Sequence, residues 1–265
     1  MLFRRLVYCA LFAGLCAGLV NSAVQRFQIV PIINMAEEFE SRLVAENSIA
    51  ENSVQHSHES SSTDHHRDEN SWEPRAGFER TLWTVLSNIF VSVGFALLLI
   101  PFIAWWYLRH PDRSKSILAG LSWGIVGWFC VFAWPALGLS PELPGEAAAG
   151  LSARQAWWLL AVASAVGGLW LLIEIRDLWR WSGLVLLALP FLIGAPHLDG
   201  SGFGHHPTDV MAQLAQLKDR FFLATAVASL AKWLTLGIAA VILTRVWISP
   251  ILQLNMPEDS SKALG

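Results

Sequence analysis

Of the chain's 265 residues, 54% are hydrophobic and 15% charged, against about 25% charged in a soluble domain. With a mean hydropathy of +0.45, lipid is the solvent for most of it. A net charge of −3 and no basic tail argue against a nucleic-acid partner. Cys9, Cys16 and Cys130 all fall in apolar stretches without a C-x-x-C pair, so neither a thiolate metal site nor a disulfide framework is expected.

About 20 apolar residues cross a bilayer core. On that measure the sequence predicts an all-α polytopic membrane protein with about six transmembrane helices, divided as residues 1–25 (first helix), 26–80 (an extracytoplasmic loop), 81–248 (a five-helix membrane bundle) and 249–265 (a cytoplasmic tail). The first span runs from Leu6 to about Val24 behind Arg4 and Arg5. It has the basic start of a signal peptide, but its apolar run is longer than usual, which favours a retained helix. Ala10, Gly14, Gly18 and Ser22 repeat every four residues and form a stripe that a second helix can approach closely.

The loop after it begins with an acidic, helix-compatible stretch, Met35 to Glu40. From Gln55 to Glu69 it becomes a low-complexity tract holding His56, His58, His65 and His66 among carboxylates. Such a composition buries no core and reads as largely disordered. Its imidazoles suit Zn, Ni, Cu and Co, as a loose metal-gathering antenna or, more plainly, a hydrophilic spacer.

The second span covers about Leu82 to Tyr107 and contains Asn88; the third covers Ile117 to Leu139, with Ser116, Gly120 and Gly124 as a second small-residue run. In the following loop, Glu142 stands between Pro141 and Pro144. It either offers a carboxylate at a pore mouth or shapes the loop by bonding to backbone N–H groups. The fourth span is Gln155 to Ile175, with Glu174 expected to pair with Arg176 or Arg180.

A short fifth span, Trp181 to Pro196, ends at His197, and a Gly-rich segment with His205 and His206 follows. These three histidines, with a carboxylate, could form a metal site; equally, they could be ordinary loop residues. The sixth span, about Phe221 to Trp247, carries Lys232 near its centre, where an ionisable residue is costly and reads as functional. Pairing with a carboxylate, gating and snorkelling are the alternatives for it. Pro101, Pro135 and Pro190 are expected to kink their helices.

Basic residues set the orientation. With both termini in the cytoplasm, inside segments hold Arg4, Arg5, Arg109, Arg113, Lys115, Arg176, Arg180, Arg245 and Lys262, against Arg154, Lys218 and Arg220 in short outside loops. The expected location is the inner (plasma) membrane, with seven of the eight histidines outside and His110 inside. The 14 Trp suit headgroup layers, with Trp105, Trp106, Trp179 and Trp181 at the inner face and Trp157 and Trp158 at the outer.

Several strings recur as a pattern: Phe3-Arg4-Arg5-Leu6, then Gln28-Ile29-Val30-Pro31, then Trp134-Pro135-Ala136-Leu137-Gly138-Leu139-Ser140-Pro141-Glu142-Leu143-Pro144-Gly145, continuing through Leu151, Arg154-Gln155 and Trp157-Trp158 to Gly194-Ala195-Pro196-His197. Together they resemble the CbtA family of proposed cobalt transporter subunits. The resemblance implies cobalt uptake linked to cobalamin synthesis. It also implies a small single-span partner, CbtB, with histidines near its terminus.

The sequence therefore reads as a membrane subunit of a transition-metal uptake transporter. Its candidate metal ligands are His56, His58, His65, His66, Glu142, His197, His205 and His206, with Co²⁺ or Ni²⁺ as the cargo and no resident cofactor. Lipid surrounds it, and the CbtB-type subunit or further copies of the chain would complete a path that Asn88 and Lys232 alone line thinly. The alternative is a non-transporting scaffold or a metal-sensing or assembly component. No nucleotide-binding loop, H-E-x-x-H or G-x-S-x-G is present and no catalytic residues are expected, which argues against an enzyme.

Overall fold

A computed structural model of the chain describes residues 2–52, 74, 75, 77–111, 113, 115–143, 149–197 and 208–250, with backbone alone at 39–52 and 208–212. Among the described residues there is no strand. Six helices run in order: α1 (Leu2–Asn52), α2 (Phe78–Arg109), α3 (Ile117–Ala136), α4 (Leu151–Glu174), α5 (Leu178–Ile193) and α6 (Thr208–Leu243), the last continued by a π-helical turn over Thr244–Ile248. Five are long and apolar enough to cross a membrane, and α5 is shorter. At about 24 Å, α5 falls short of a core about 30 Å thick. This is the all-helical polytopic membrane fold that the hydropathy predicts.

Two helices are longer than the sequence suggests. Expected to end near Val24, α1 continues as helix to Asn52, so residues 26–52, read as the start of a loop, are helical. Its 51 residues span about 76 Å. Pro31 is tolerated because it and Phe27, whose carbonyl loses its helical donor, are both exposed. Likewise α6 begins at Thr208, thirteen residues before the predicted Phe221.

The α1 extension packs against the first half of α6. Ile29, Ile32 and Ala36 of α1 bury against Leu217, Ala224 and Ala228 of α6, and Leu143 from the α3–α4 link joins them. Burial of a Leu or Ile side chain contributes about 1.5–3 kcal/mol where water is the alternative.

Within the membrane, α1 packs along both α2 and α6, α6 also packs along α3, and α4 and α5 form a hairpin beside α3. The stripe of small residues has its predicted use. A Cβ on Gly14 would lie 2.5 Å from Val93 Cα, and one on Gly18 would lie 2.6 Å from Ile89 Cα. The second run works the same way at α3–α6, where a Cβ on Gly120 would come within 2.7 Å of Ile238 Cα. Backbones that approach this closely gain dispersion contacts, which lipid-exposed helices need because no hydrophobic force drives them together. The central core joins Cys9, Ala13 and Ala17 to Ala96, Ile100 and Ile103 and to Leu236, Ala240 and Val241.

Before Pro135, α3 widens into a π-helical turn over Phe129–Ala133. Proline lacks an N–H and crowds the carbonyl four residues back, and the wider turn relieves that crowding. Several tryptophans serve packing rather than the headgroup layer. Trp128 donates to the Ala226 carbonyl (3.3 Å), Trp134 to that of Leu187 (3.3 Å) and Trp157 to that of Pro190 (3.1 Å). Trp157, placed by the sequence at a lipid boundary, is in fact buried. Trp105 and Trp106 belong to a ring cluster with Phe102, Trp123 and Trp170, whereas Trp179 and Trp181 are exposed as an interfacial pair would be.

Candidate functional site

The helices alternate in direction, so the molecule has two ends. At one, Arg5 donates to the Trp247 carbonyl (3.2 Å), Lys115 donates to Ser249 Oγ (3.1 Å) and His110 faces Glu174. At the other lie Glu37 with Arg80, Glu142 with Arg154, and His197.

His197 follows the end of α5. That helix stops at Gly194, whose φ of 88° and ψ of 140° suit glycine almost alone. The Gly194 N–H and the Trp157 indole both donate to the Pro190 carbonyl. Ala195 lies over Gly138, where a Cβ would meet it at 3.4 Å and the Trp157 ring at 2.5 Å. The backbone leading to His197 is thus fixed between the ends of α3 and α4, and the imidazole itself is exposed.

Glu142 is paired: its Oε2 lies 2.6 Å from Arg154 Nη2, and among the described residues no backbone N–H donates to it. Arg154 stands in the first turn of α4, which brings its guanidinium under the link. The adjacent Leu143 is buried between α1 and α6. Glu142 and Leu143 therefore tie the link to three helices, and the guanidinium offsets the charge that would attract a cation.

Of the predicted ligands, Glu142 and His197 are described. His56, His58, His65, His66, His205 and His206 lie outside the described residues. Among the described residues, no three His, Cys, Asp or Glu side chains converge as a metal-binding group.

A polar cluster inside the bundle is more extensive than Asn88 alone suggests. Asn21 Nδ2 donates to Asn88 Oδ1 (3.0 Å), and Asn88 Nδ2 donates to Ser22 Oγ (3.0 Å) and Gln25 Oε1 (2.6 Å). Ser22 Oγ in turn donates to the Gly18 carbonyl (2.8 Å). The signal in the sequence is the spacing of Gly18, Asn21, Ser22 and Gln25, three and four residues apart on one helical face. One turn beyond Asn88, the Ser92 hydroxyl is fully buried and has no partner among the described residues. Farther along, Lys232 Nζ lies 5.4 Å from the centroid of the Phe95 ring and 5.9 Å from that of Trp233.

At the Arg5 end the expected partner of Glu174 is replaced. Glu174 Oε1 lies 3.6 Å from His110 Nε2, not beside Arg176 or Arg180. His110 caps α2 and stacks on Trp106 at 4.3 Å, which turns its far nitrogen toward α4. Nearby, burial pulls the pKa of Lys115 below the ordinary lysine value.

No curated protein and no solved structure matches the chain. The family described as "Probable cobalt transporter subunit (CbtA)" matches residues 3–245. That stretch takes in all six helices, with the tied link and the helix end at His197, and the chain belongs to the CbtA family.

Proposed function

We propose that the chain is the membrane subunit of a Co²⁺ uptake system that serves cobalamin synthesis, with Ni²⁺ the other ion its histidines would accept. The observation that carries this reading is the family match across residues 3–245. Its mechanism begins at the His197 end, taken to face outward from the inner (plasma) membrane with both termini in the cytoplasm. The histidines from His56 to His66 gather the ion loosely. His197, backed by a rigid helix end, then receives it with His205 or His206. Imidazole is a borderline ligand suited to both ions. Glu142, held by Arg154, supplies shape at this mouth more than charge.

The spans hold too few polar groups for a hydrated ion to cross one copy unaided. A small single-span, histidine-bearing subunit of the CbtB type, or further copies of this chain, completes the path. The same scarcity favours a second reading, a scaffold or metal-sensing component that assembles the transporter without conducting.

Cobalt and nickel accumulation in cells expressing the chain, with and without the small subunit, decides between the two. Uptake that needs both chains supports transport, and no accumulation in either case rejects it. Deleting residues 56–66 is expected to weaken uptake mainly at low metal concentration. His197→Ala is expected to weaken it at every concentration. Equal and negligible effects would remove the outer histidines from the mechanism.

A further inference from the structure

Lys232 stands near the middle of the apolar part of α6, about Phe221 to Trp247. Arg220 precedes it by twelve residues and Arg245 follows by thirteen, about 18 and 20 Å along the helix axis. In a hydrocarbon core about 30 Å thick, a lysine at that depth is far from both headgroup layers. Its ammonium lies over Phe95 and Trp233, and ring faces compensate only part of the lost hydration. Among the described residues, no carboxylate is within ion-pair distance of it.

The chain's own spans hold no acid at this depth. Their acidic residues are Glu37, Glu38, Glu79, Glu174 and Asp219, all toward the ends of the spans, and α3 and α5 have none. On α6 itself, Asp219 is thirteen residues away, about 20 Å. A second copy in the same orientation places its acids at the same depths, so a homo-oligomer offers Lys232 no counter-ion either. Lys232 is only partly buried, which leaves it open to a neighbour, and family membership makes the chain one subunit of a larger assembly.

We propose that Lys232 docks a membrane helix of a different subunit, one that carries an Asp or Glu near the bilayer mid-plane. The pair satisfies a charge that neither helix can hold cheaply alone, and it selects partner and depth together. The inference concerns assembly, so it stands or falls independently of which ion is carried.

A photo-cross-linking residue at Val91, which is exposed one turn from Phe95, tests it in native membranes. The expected adduct joins the full chain to a second protein with an acidic residue in its span. Lys232→Met is expected to lower the adduct yield about five- to tenfold, and Lys232→Arg to keep it. Reversing both charges, with Lys232→Asp and the partner's acid changed to lysine, is expected to restore it. Size-exclusion chromatography in detergent reports whether each variant is folded, and the Arg and charge-reversed forms carry the test if Lys232→Met is not. An adduct only with a second copy, no adduct, a partner without a mid-span acid, or a yield that Lys232→Met leaves unchanged would each overturn the proposal.

Discussion

Asn88 shows how much one side chain can settle inside a membrane. Its amide meets Asn21, Ser22 and Gln25 at once. Such interhelical bonds contribute about 0.6 kcal/mol each on average. Asn88→Leu removes them and leaves the buried Asn21 amide without its acceptor. A loss of about 1–2 kcal/mol is expected, read as a lower unfolding midpoint in detergent with α1–α2 separation. An unchanged midpoint would mean that the amide cluster contributes nothing net. Glu142 illustrates the same dependence on partners: beside Arg154 it holds a loop, where alone it would have invited a cation.

For whole elements, close backbone approach decides which helices pair. Gly14 and Gly18 sit on Val93 and Ile89, with no room for a side chain. Gly14→Leu is expected to push α2 away and cost about 1–3 kcal/mol, like other overpacking changes. Gly94→Leu, on a face of α2 with nothing within 4 Å, is the matched control and should leave the midpoint near that of the unaltered protein. Equal effects of the two would show that helix propensity, not packing, controls this pair. The α1 extension past Val24 is held in another way, by Ile29 and Ile32, which bury against Leu217, Ala224 and Ala228 of α6 and Leu143 of the α3–α4 link.

Across the molecule, alternating helices separate a basic end at Arg5 from an end that displays His197. The proposed orientation predicts that His197→Cys, in a chain whose three native cysteines are replaced by serine or alanine, reacts with a membrane-impermeant maleimide added to intact cells. Arg113→Cys, exposed at the opposite end, should react only after the membrane is opened. The reverse pattern would invert the topology and place the outer histidines in the cytoplasm.

Much of this organisation is local, and local features are legible in a sequence. Apolar runs fix the helices because unsatisfied backbone groups are intolerable in lipid. The four-residue spacing of Ala10, Gly14, Gly18 and Ser22 marks a contact face, and Pro135 marks a distorted turn. What stayed hidden depends on elements distant in sequence. The length of α1 beyond Val24 rests on α6, about 190 residues later, because neither extension buries its apolar side alone. The pairing of Glu142 with Arg154 required the link to fold back on α4, and those of Glu174 with His110 and of Asn88 with α1 required two helices to lie side by side. The sequence by itself determined that the chain crosses a membrane on helices. Only the tertiary structure decided which charges are satisfied within the chain, leaving Lys232 without a counter-ion among the described residues, because ion pairing depends on distances through space that residue spacing does not set.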